Sequence, residues 1–409
     1  MWQKLLDHAL AGLIRKGSLT FRFPDGRIAH YGDGTGPEVT VRVSDPRLLR
    51  RLLINPTLAV GEGYVDGGLT VDGDDLHGLI AIGVRNVEAG NGRWWHHLSA
   101  RGRAWLRVLR QYNPMGRSRA NVAHHYDLSG ELYDLFLDAD RQYSCAYFLR
   151  PDMDLDAAQA AKKAHIAGKL LLQPGMRVLD IGCGWGGMAL TLARDHGAQV
   201  LGVTLSEEQH KLASARVRAA GLEQQVEIRL ADYRTITGQF DRIVSVGMFE
   251  HVGAPHYRTF FHKVEDLLAP DGVALIHTIG RASPPGATNP WIAKYIFPGG
   301  YVPAMSEVMA AVETTDLWPA DVEVWRLHYA ETLRHWQERF ATNIDRVRAL
   351  YDERFCRMWR FYLVGSEQAF RVGRKCVFQF QLARRREAVP LSRDYLYPSE
   401  RSGIAQAAE

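Results

Sequence analysis

With 409 residues the chain is long enough for two domains and a large buried core. Its 46% hydrophobic and 23% charged residues exclude a disordered or fibrous protein, and a formal charge of +4 carries no general preference for nucleic acid. Cys145, Cys183, Cys356 and Cys376 lack CxxC spacing, so neither a disulfide framework nor a zinc site is expected, and a reducing cytoplasm fits.

The opening residues, MWQKLLDHALAGLIRKG, place Trp2, Leu5, Leu6, Leu10, Leu13 and Ile14 on one face of a helix. Lys4, Asp7 and His8 interrupt any signal-peptide core, and no stretch approaches the ~20 apolar residues of a membrane span. LTFRF and VTVRV alternate as strands, separated by the turns FPDGR and YGDGTGP. GEGYVDGGLTVDG, from Gly61 to Gly73, reads as turn punctuation, with ligand contact the alternative. A small α+β domain over 1–110, a linker over 111–120 and a catalytic domain over 121–409 follow from this reading.

Between Trp94 and Arg119 the composition shifts. Arg101, Arg103, Arg107, Arg110, Arg117 and Arg119 occur without an acid, interleaved with Trp94, Trp95, Trp105 and Tyr112. An interfacial helix for anionic lipid and a solvated connector both fit; no nucleic-acid motif accompanies the arginines. Adjacent His124 and His125 would point apart on a helix or a strand, which argues against a metal pair.

Residues 157–172 are expected to be helical. The strands RVLDIG, AQVLGVTL, VEIRLAD, DRIVSVGMF and GVALIHTIG then alternate with helices after Gly187, from Ser206 and near His256. Ser206 before Glu207 and Glu208 makes a capped start, and Gly221 a stop. Crossover helices between five strands predict a doubly wound, mostly parallel sheet with ligands at the strands' C-terminal ends. SPPGATNPWIAKYIFPGGYVPAMSEV, dense in Pro, Gly and aromatics, reads as a lid or pocket wall. A long helical region from Tyr329 to Arg371 and a closing strand, VFQFQLARR, complete the chain.

VLDIGCGWGG, from Val178 to Gly187, breaks a short strand into Gly182, Gly184, Gly186 and Gly187. Such a turn lets backbone approach a nucleotide-like ligand beneath a helix N-terminus, although glycines also close ordinary corners. Asp180 and this turn belong to the first strand, Thr204 to Gln209 follow the second, and Asp232 closes the third. In a class I methyltransferase these positions hold S-adenosylmethionine. The usual acid after the second strand is missing from VTLSEEQ, and Gln209 is the nearest substitute for it. A nicotinamide enzyme would more often carry that acid, so a dehydrogenase is the minor reading.

Further motifs make the resemblance specific: HYDL at His125 to Leu128, QYSCAYF at Gln142 to Phe148, GVTLSEEQ, MFEHVG at Met248 to Gly253, HTIGR at His277 to Arg281, FPGGYVP at Phe297 to Pro303, and FYLVGSEQAFR. Together with VLDIGCGWGG they resemble the cyclopropane-fatty-acyl-phospholipid synthase family and its relatives, the mycolic acid methyltransferases. The resemblance implies a Rossmann-like class I methyltransferase fold with helical pocket insertions. The implied reaction moves the methyl of S-adenosylmethionine to the cis double bond of a phospholipid acyl chain and closes a ring. An alkene is a poor nucleophile, so such a site must align it and exclude water, and the aromatic residues of 121–148 and 291–325 suit that task.

The resemblance also implies a bound bicarbonate as base, held by Cys145, Glu250, His277, the Ile279 amide and Tyr329. For the cofactor it implies Tyr143, Ser144, Asp180, Gly182, Cys183, Gly184, Thr204, Leu205, Ser206, Gln209, Asp232 and Tyr233. Where many relatives carry a cysteine this chain has Ser366, which excludes thiol chemistry there. The expected partner is unsaturated phospholipid in an anionic membrane, at whose cytoplasmic face the protein would sit peripherally. Neither a metal nor nucleic acid is expected, and the oligomeric state stays open, a homodimer included. A C-methyltransferase leaving a methyl or methylene branch is the first alternative, a non-catalytic lipid-binding protein the second.

Overall fold

The computed structural model describes residues 1–91 and 130–397. The Arg/Trp segment, the 111–120 linker, His124 and the whole HYDL motif from His125 to Leu128 lie outside the described residues.

Helix α1 (Trp2–Leu13) leads into strands β1 (Ser18–Arg22), β2 (Ile28–Gly32) and β3 (Glu38–Val43), helices α2 (Pro46–Ile54) and α3 (Pro56–Val65), strand β4 (Leu69–Val71) and helix α4 (Leu76–Glu88). The four strands form one sheet in the order β2-β1-β3-β4. Alternating Val39, Val41 and Val43 turn into the core with Leu19, Phe21 and Leu48. The apolar stripe of α1 divides: Leu6 and Ile14 are buried, whereas Trp2 and Leu5 are exposed. The Arg50 guanidinium lies over the Trp2 ring.

Gly61 and Gly63 are not turn residues. They lie inside α3, where they let other residues approach closely. A Cβ on Gly61 would stand 2.4 Å from the Trp291 ring and 2.9 Å from Phe361; one on Gly63 would stand 2.6 Å from Leu48. Only Gly67, with φ +78, makes the turn that follows the helix. Gly61→Ala should therefore cost about 1–3 kcal/mol by overpacking the fully buried Trp291, read as a lowered melting temperature.

Polar contacts join the same surfaces. Glu62 accepts from Lys294 at 2.7 Å and from Tyr295 at 2.8 Å and is bonded by Arg51; Arg360 reaches Asp74 at 2.7 Å.

Beyond residue 130 come helices α5 (Gly130–Asp134) and α6 (Leu155–Lys169), and then the second sheet begins. Its strands are β5 (Arg177–Ile181), β6 (Gln199–Thr204), β7 (Val226–Leu230), β8 (Phe240–Val246), β9 (Leu268–Arg281), β10 (Trp318–Trp325) and β11 (Lys375–Ala383). Their order is β10-β11-β9-β8-β5-β6-β7. β5 to β9 run parallel, and β11 pairs antiparallel with both β9 and β10. β5 is buried on both faces, as its continuous apolar run requires of a central parallel strand. After β7 the chain returns to the other side of β5, so the crevice above β5 and β8 is the switch point where such sheets bind ligands.

The helices of this sheet are α7 (Gly187–His196), α8 (Glu207–Ala219) and α9 (Tyr257–Leu267). Ser206 caps α8 by accepting from the Gln209 amide, and Gly221 follows its end at φ +66. Within 283–308 lie the short α10 (Pro290–Tyr295) and the start of α11 (Met305–Val312).

The long helical region consists of three helices: α12 (His328–Thr342), α13 (Ile344–Leu350) and α14 (Glu353–Arg371). Asn343 breaks the first pair, its amide donating to the Leu135 carbonyl at 2.9 Å, and Asp352 caps α14 through the Phe355 amide at 2.7 Å. β10 escapes a sequence reading because it is a largely exposed edge strand, with Pro319 at a register shift.

Candidate active site

Two cavities meet at the C-terminal ends of β5 and β8. The first is lined by Gly182, Gly184, Thr204, Leu205, Gln209, Asp232 and Tyr233, joined by residues not foreseen from sequence such as Met248 and His256. Backbone at Gly182 and Gly184 is left-handed, with φ +85 and +54. A Cβ on Gly182 would strike Met248 at 2.7 Å, whereas around Gly184 no atom lies within 4 Å of such a Cβ. Gly184 therefore leaves an open cradle beneath the N-terminus of α7.

Thr204 Oγ donates to Gln209 Oε1 at 2.8 Å, which orients the Gln209 amide and leaves its N–H groups as donors. Asp232 is held by Arg234 through two side-chain bonds of 2.8 and 2.6 Å.

Five of the expected cofactor residues do not line this cleft. Ser206 is spent capping α8, and Cys183 packs against Gly202, where a Cβ would come within 3.0 Å of its sulfur. Asp180 is buried below the glycine turn with Oδ2 unpartnered, and burial raises its carboxyl to about 7. Tyr143 and Ser144 belong to the neighbouring cavity instead.

That second cavity gathers Cys145, Glu250, His277, Ile279 and Tyr329, all five of the residues expected around an anion. Thr288, Ile292, Phe297, Tyr301 and Val302 of the 283–308 segment close its other side. Gly247 and His251 line both cavities, so the two are contiguous.

Glu250 lies in a short turn after β8, with Oε1 accepting from the Ile279 amide at 2.5 Å and Oε2 buried without a partner. The amide expected to donate to an anion is thus taken up by Glu250 in this structure. Burial raises the Glu250 carboxyl to about 7, opposed by that same amide. Burial pushes the Cys145 thiol up, so it stays protonated, and holds His277 well below its ordinary value, hence neutral. His251 is lowered to about 4 for the same reason. The set can offer neutral donors and one ionisable acceptor to a small oxyanion. Ser366 is half-buried on α14 and is not among the residues lining either cavity.

Behind the site lies a polar group that sequence reasoning missed. Lys162 on α6 is fully buried, and its ammonium donates to Gln142 Oε1 at 2.5 Å and Ser144 Oγ at 2.9 Å. Gln159, one turn away, holds the Ser144 carbonyl at 2.9 Å. These bonds fix the strap that carries Tyr143, Ser144 and Cys145, and burial lowers the lysine to about 8. Gln159 and Lys162 share an inward face with the buried Leu155 and Ile166, a polar stripe in an apolar one. That stripe was the available signal.

Among the described residues, no group of three or more His, Cys, Asp or Glu side chains is arranged for a metal ion, and no helix is long and apolar enough to cross a membrane.

Residues 115–380 match the family model described as mycolic acid cyclopropane synthetase, and residues 2–90 match a domain of unknown function, DUF7884. The cyclopropane-fatty-acyl-phospholipid synthase of Escherichia coli K12 is 40% identical over 348 residues, covering 83% of this chain and 86% of its own. A tuberculostearic acid methyltransferase of Mycobacterium tuberculosis is 36% identical over 382 residues, covering 88% and 87%. A solved cyclopropane synthase of Mycobacterium tuberculosis superposes with a TM-score of 0.63 at 35% identity, over 66% of this chain and 99% of that one. A mycolic acid cyclopropane synthase complexed with SAH and CTAB gives 0.62 at 36%, over 67% and 99%. With the glycine cleft at the switch point of a seven-stranded class I sheet, these likenesses make the chain an S-adenosylmethionine-dependent methyltransferase that belongs to the mycolic acid cyclopropane synthetase family.

Proposed function

We propose that this enzyme methylates the cis double bond of phospholipid acyl chains and closes it to a cyclopropane, with bicarbonate as the base. The observation that carries the reading is the convergence of Cys145, Glu250, His277, Ile279 and Tyr329 in one cavity continuous with the glycine cleft. When bound, S-adenosylmethionine supplies the methyl group and bicarbonate the proton acceptor. The residues present fit both: the open cradle at Gly184 suits the first, and the unpartnered Glu250 Oε2 facing neutral donors suits the second.

Gly182, Gly184 and the Gln209 amide would hold the cofactor, with Tyr143, Ser144, Asp232 and Tyr233 beside it. Ionised Glu250 would accept the O–H of the anion, and Cys145, His277 and Tyr329 would be the donors to its other oxygens. Tyr143, Phe297, Tyr301 and Ile292 make the wall that excludes water and offers ring faces to positive charge developing on the alkene.

The substrate is a membrane lipid, and the amino-terminal unit supplies a surface for it. Trp2, Arg47, Arg50, Arg51, Ile54 and Leu58 surround an open groove beside the exposed Met1 and Leu5. Apolar tips among arginines suit an anionic bilayer at the cytoplasmic face.

Purified protein incubated with methyl-labelled S-adenosylmethionine and cis-unsaturated phospholipid vesicles should move label into lipid, faster when bicarbonate is restored to depleted buffer. It should also co-sediment with phosphatidylglycerol vesicles and not with phosphatidylcholine alone. Absence of labelled lipid would sink the reading. Label without bicarbonate dependence would remove the base assignment, and equal sedimentation on both lipids would remove the docking surface. The relative named for tuberculostearic acid keeps a methyl-branched product as the second reading.

A further inference from the structure

β11 carries two glutamines, Gln379 and Gln381, that are fully buried among Val377, Phe378, Phe380 and Leu382. A buried amide in an apolar strand is costly unless it is bonded. Gln381 is engaged by donating to the Lys169 carbonyl at 2.7 Å. Gln379 has a different partner: β11 and β9 pair with Gln379 directly across from His277, and its Nε2 lies 3.1 Å from His277 Nδ1. Its carbonyl Oε1 is buried and unpartnered. The chain tolerates an unsatisfied oxygen at a position whose amide nitrogen faces an imidazole.

With its nitrogen toward the ring, the amide donates, so Nδ1 accepts and carries no proton; turned over, its oxygen would accept from a protonated Nδ1, and the two arrangements differ in the tautomer of His277. In the first, a neutral imidazole carries its proton on Nε2. Trp325 stands edge-on to the ring, with centroids 5.0 Å apart and planes at 84°, which fixes the ring's tilt. We propose that Gln379 is the positioning residue that locks His277 as the Nε2–H tautomer, turning it into a donor for the anion in the second cavity. The proposal rests on the anion-site reading above. With the proton on Nδ1, the same ring would set a lone pair against an anion already sharing the cavity with the Glu250 carboxylate. Removing partners that orient ligating imidazoles elsewhere typically costs about 10- to 100-fold in affinity or activity, and a similar loss is expected here.

The test is the nitrogen NMR spectrum of histidine-labelled, ligand-free protein, with His277 assigned by loss of its signals in His277→Asn. Wild type should show a protonated Nε2 and a bare Nδ1. Gln379→Glu, which places only acceptors at the same point, should move the proton to Nδ1 and weaken the bicarbonate dependence of turnover. Gln379→Leu should leave the tautomer mixed. A wild-type ring protonated on Nδ1, or variants with unchanged tautomer and unchanged bicarbonate dependence, overturns the proposal. Because the wild-type spectrum needs neither a variant nor a ligand, it stands apart from the anion reading. Turnover indifferent to bicarbonate in wild type would remove that reading and leave the tautomer assignment intact.

Discussion

Glu250→Gln is expected to lower product formation by about 10²- to 10⁴-fold, the range lost when a positioned acid or base is removed. The amide preserves the shape of the side chain and can still be bonded by the Ile279 amide at its oxygen, so folding should survive. What it loses is the charged, unpartnered Oε2. A neutral amide nitrogen at that point would offer a donor where the proposed anion presents its own O–H.

The pH dependence follows from the same residue. Its carboxyl is raised to about 7, so the ionised, accepting form grows as pH rises through 7, and kcat/KM should rise with it. Lys162, lowered to about 8, loses the charge that holds Gln142 and Ser144 as pH climbs further, which gives a falling limb. Asp180 also titrates near 7, and the variant separates the two carboxyls. With bicarbonate concentration held constant, the rising limb should vanish from the residual activity of Glu250→Gln. A rising limb that survives would assign it to Asp180.

The second large effect is expected at the glycine turn. Gly184→Val should weaken S-adenosylhomocysteine binding by about 100-fold or more, equivalent to roughly 2.7 kcal/mol at 25 °C. Its φ of +54 disfavours a branched side chain, and the space around its Cα is open on the side where a Cβ would project. The methyls would therefore enter the cradle without displacing protein atoms. Calorimetric titration checks the affinity, and the melting temperature checks the fold. Wild-type affinity in a folded variant would mean the cofactor lies elsewhere.

Strands and turns of the catalytic sheet were readable because their physics is local. Val178, Leu179 and Ile181 form a continuous apolar run, and Ser206 and Gly221 mark the ends of α8 by capping and by positive φ. The five anion-site residues were named through resemblance, and nothing in their spacing joins Cys145 to Tyr329.

Other features were invisible because they depend on what packs opposite. Gly61 looks like a turn glycine until Trp291, 230 residues on, is laid across it. Lys162 looks like a solvated lysine until the strap at Gln142 and Ser144 closes over it. Asp180, Cys183 and Ser206 share sequence motifs with the cleft residues yet are not among those lining it: Asp180 is buried, Cys183 packs against Gly202 and Ser206 caps a helix. A motif specifies a segment; which of its side chains meet the ligand is set by the pleat and the turn.

Ring formation on a phospholipid acyl chain is the central claim, and carbon NMR of the product tests it most directly. Lipid extracted after incubation with ¹³C-methyl S-adenosylmethionine and cis-unsaturated phosphatidylglycerol vesicles should carry the label as a cyclopropane methylene. Label in a methyl branch, or in a methylene group on an olefinic carbon, would contradict the claim and make the enzyme a fatty-acyl C-methyltransferase.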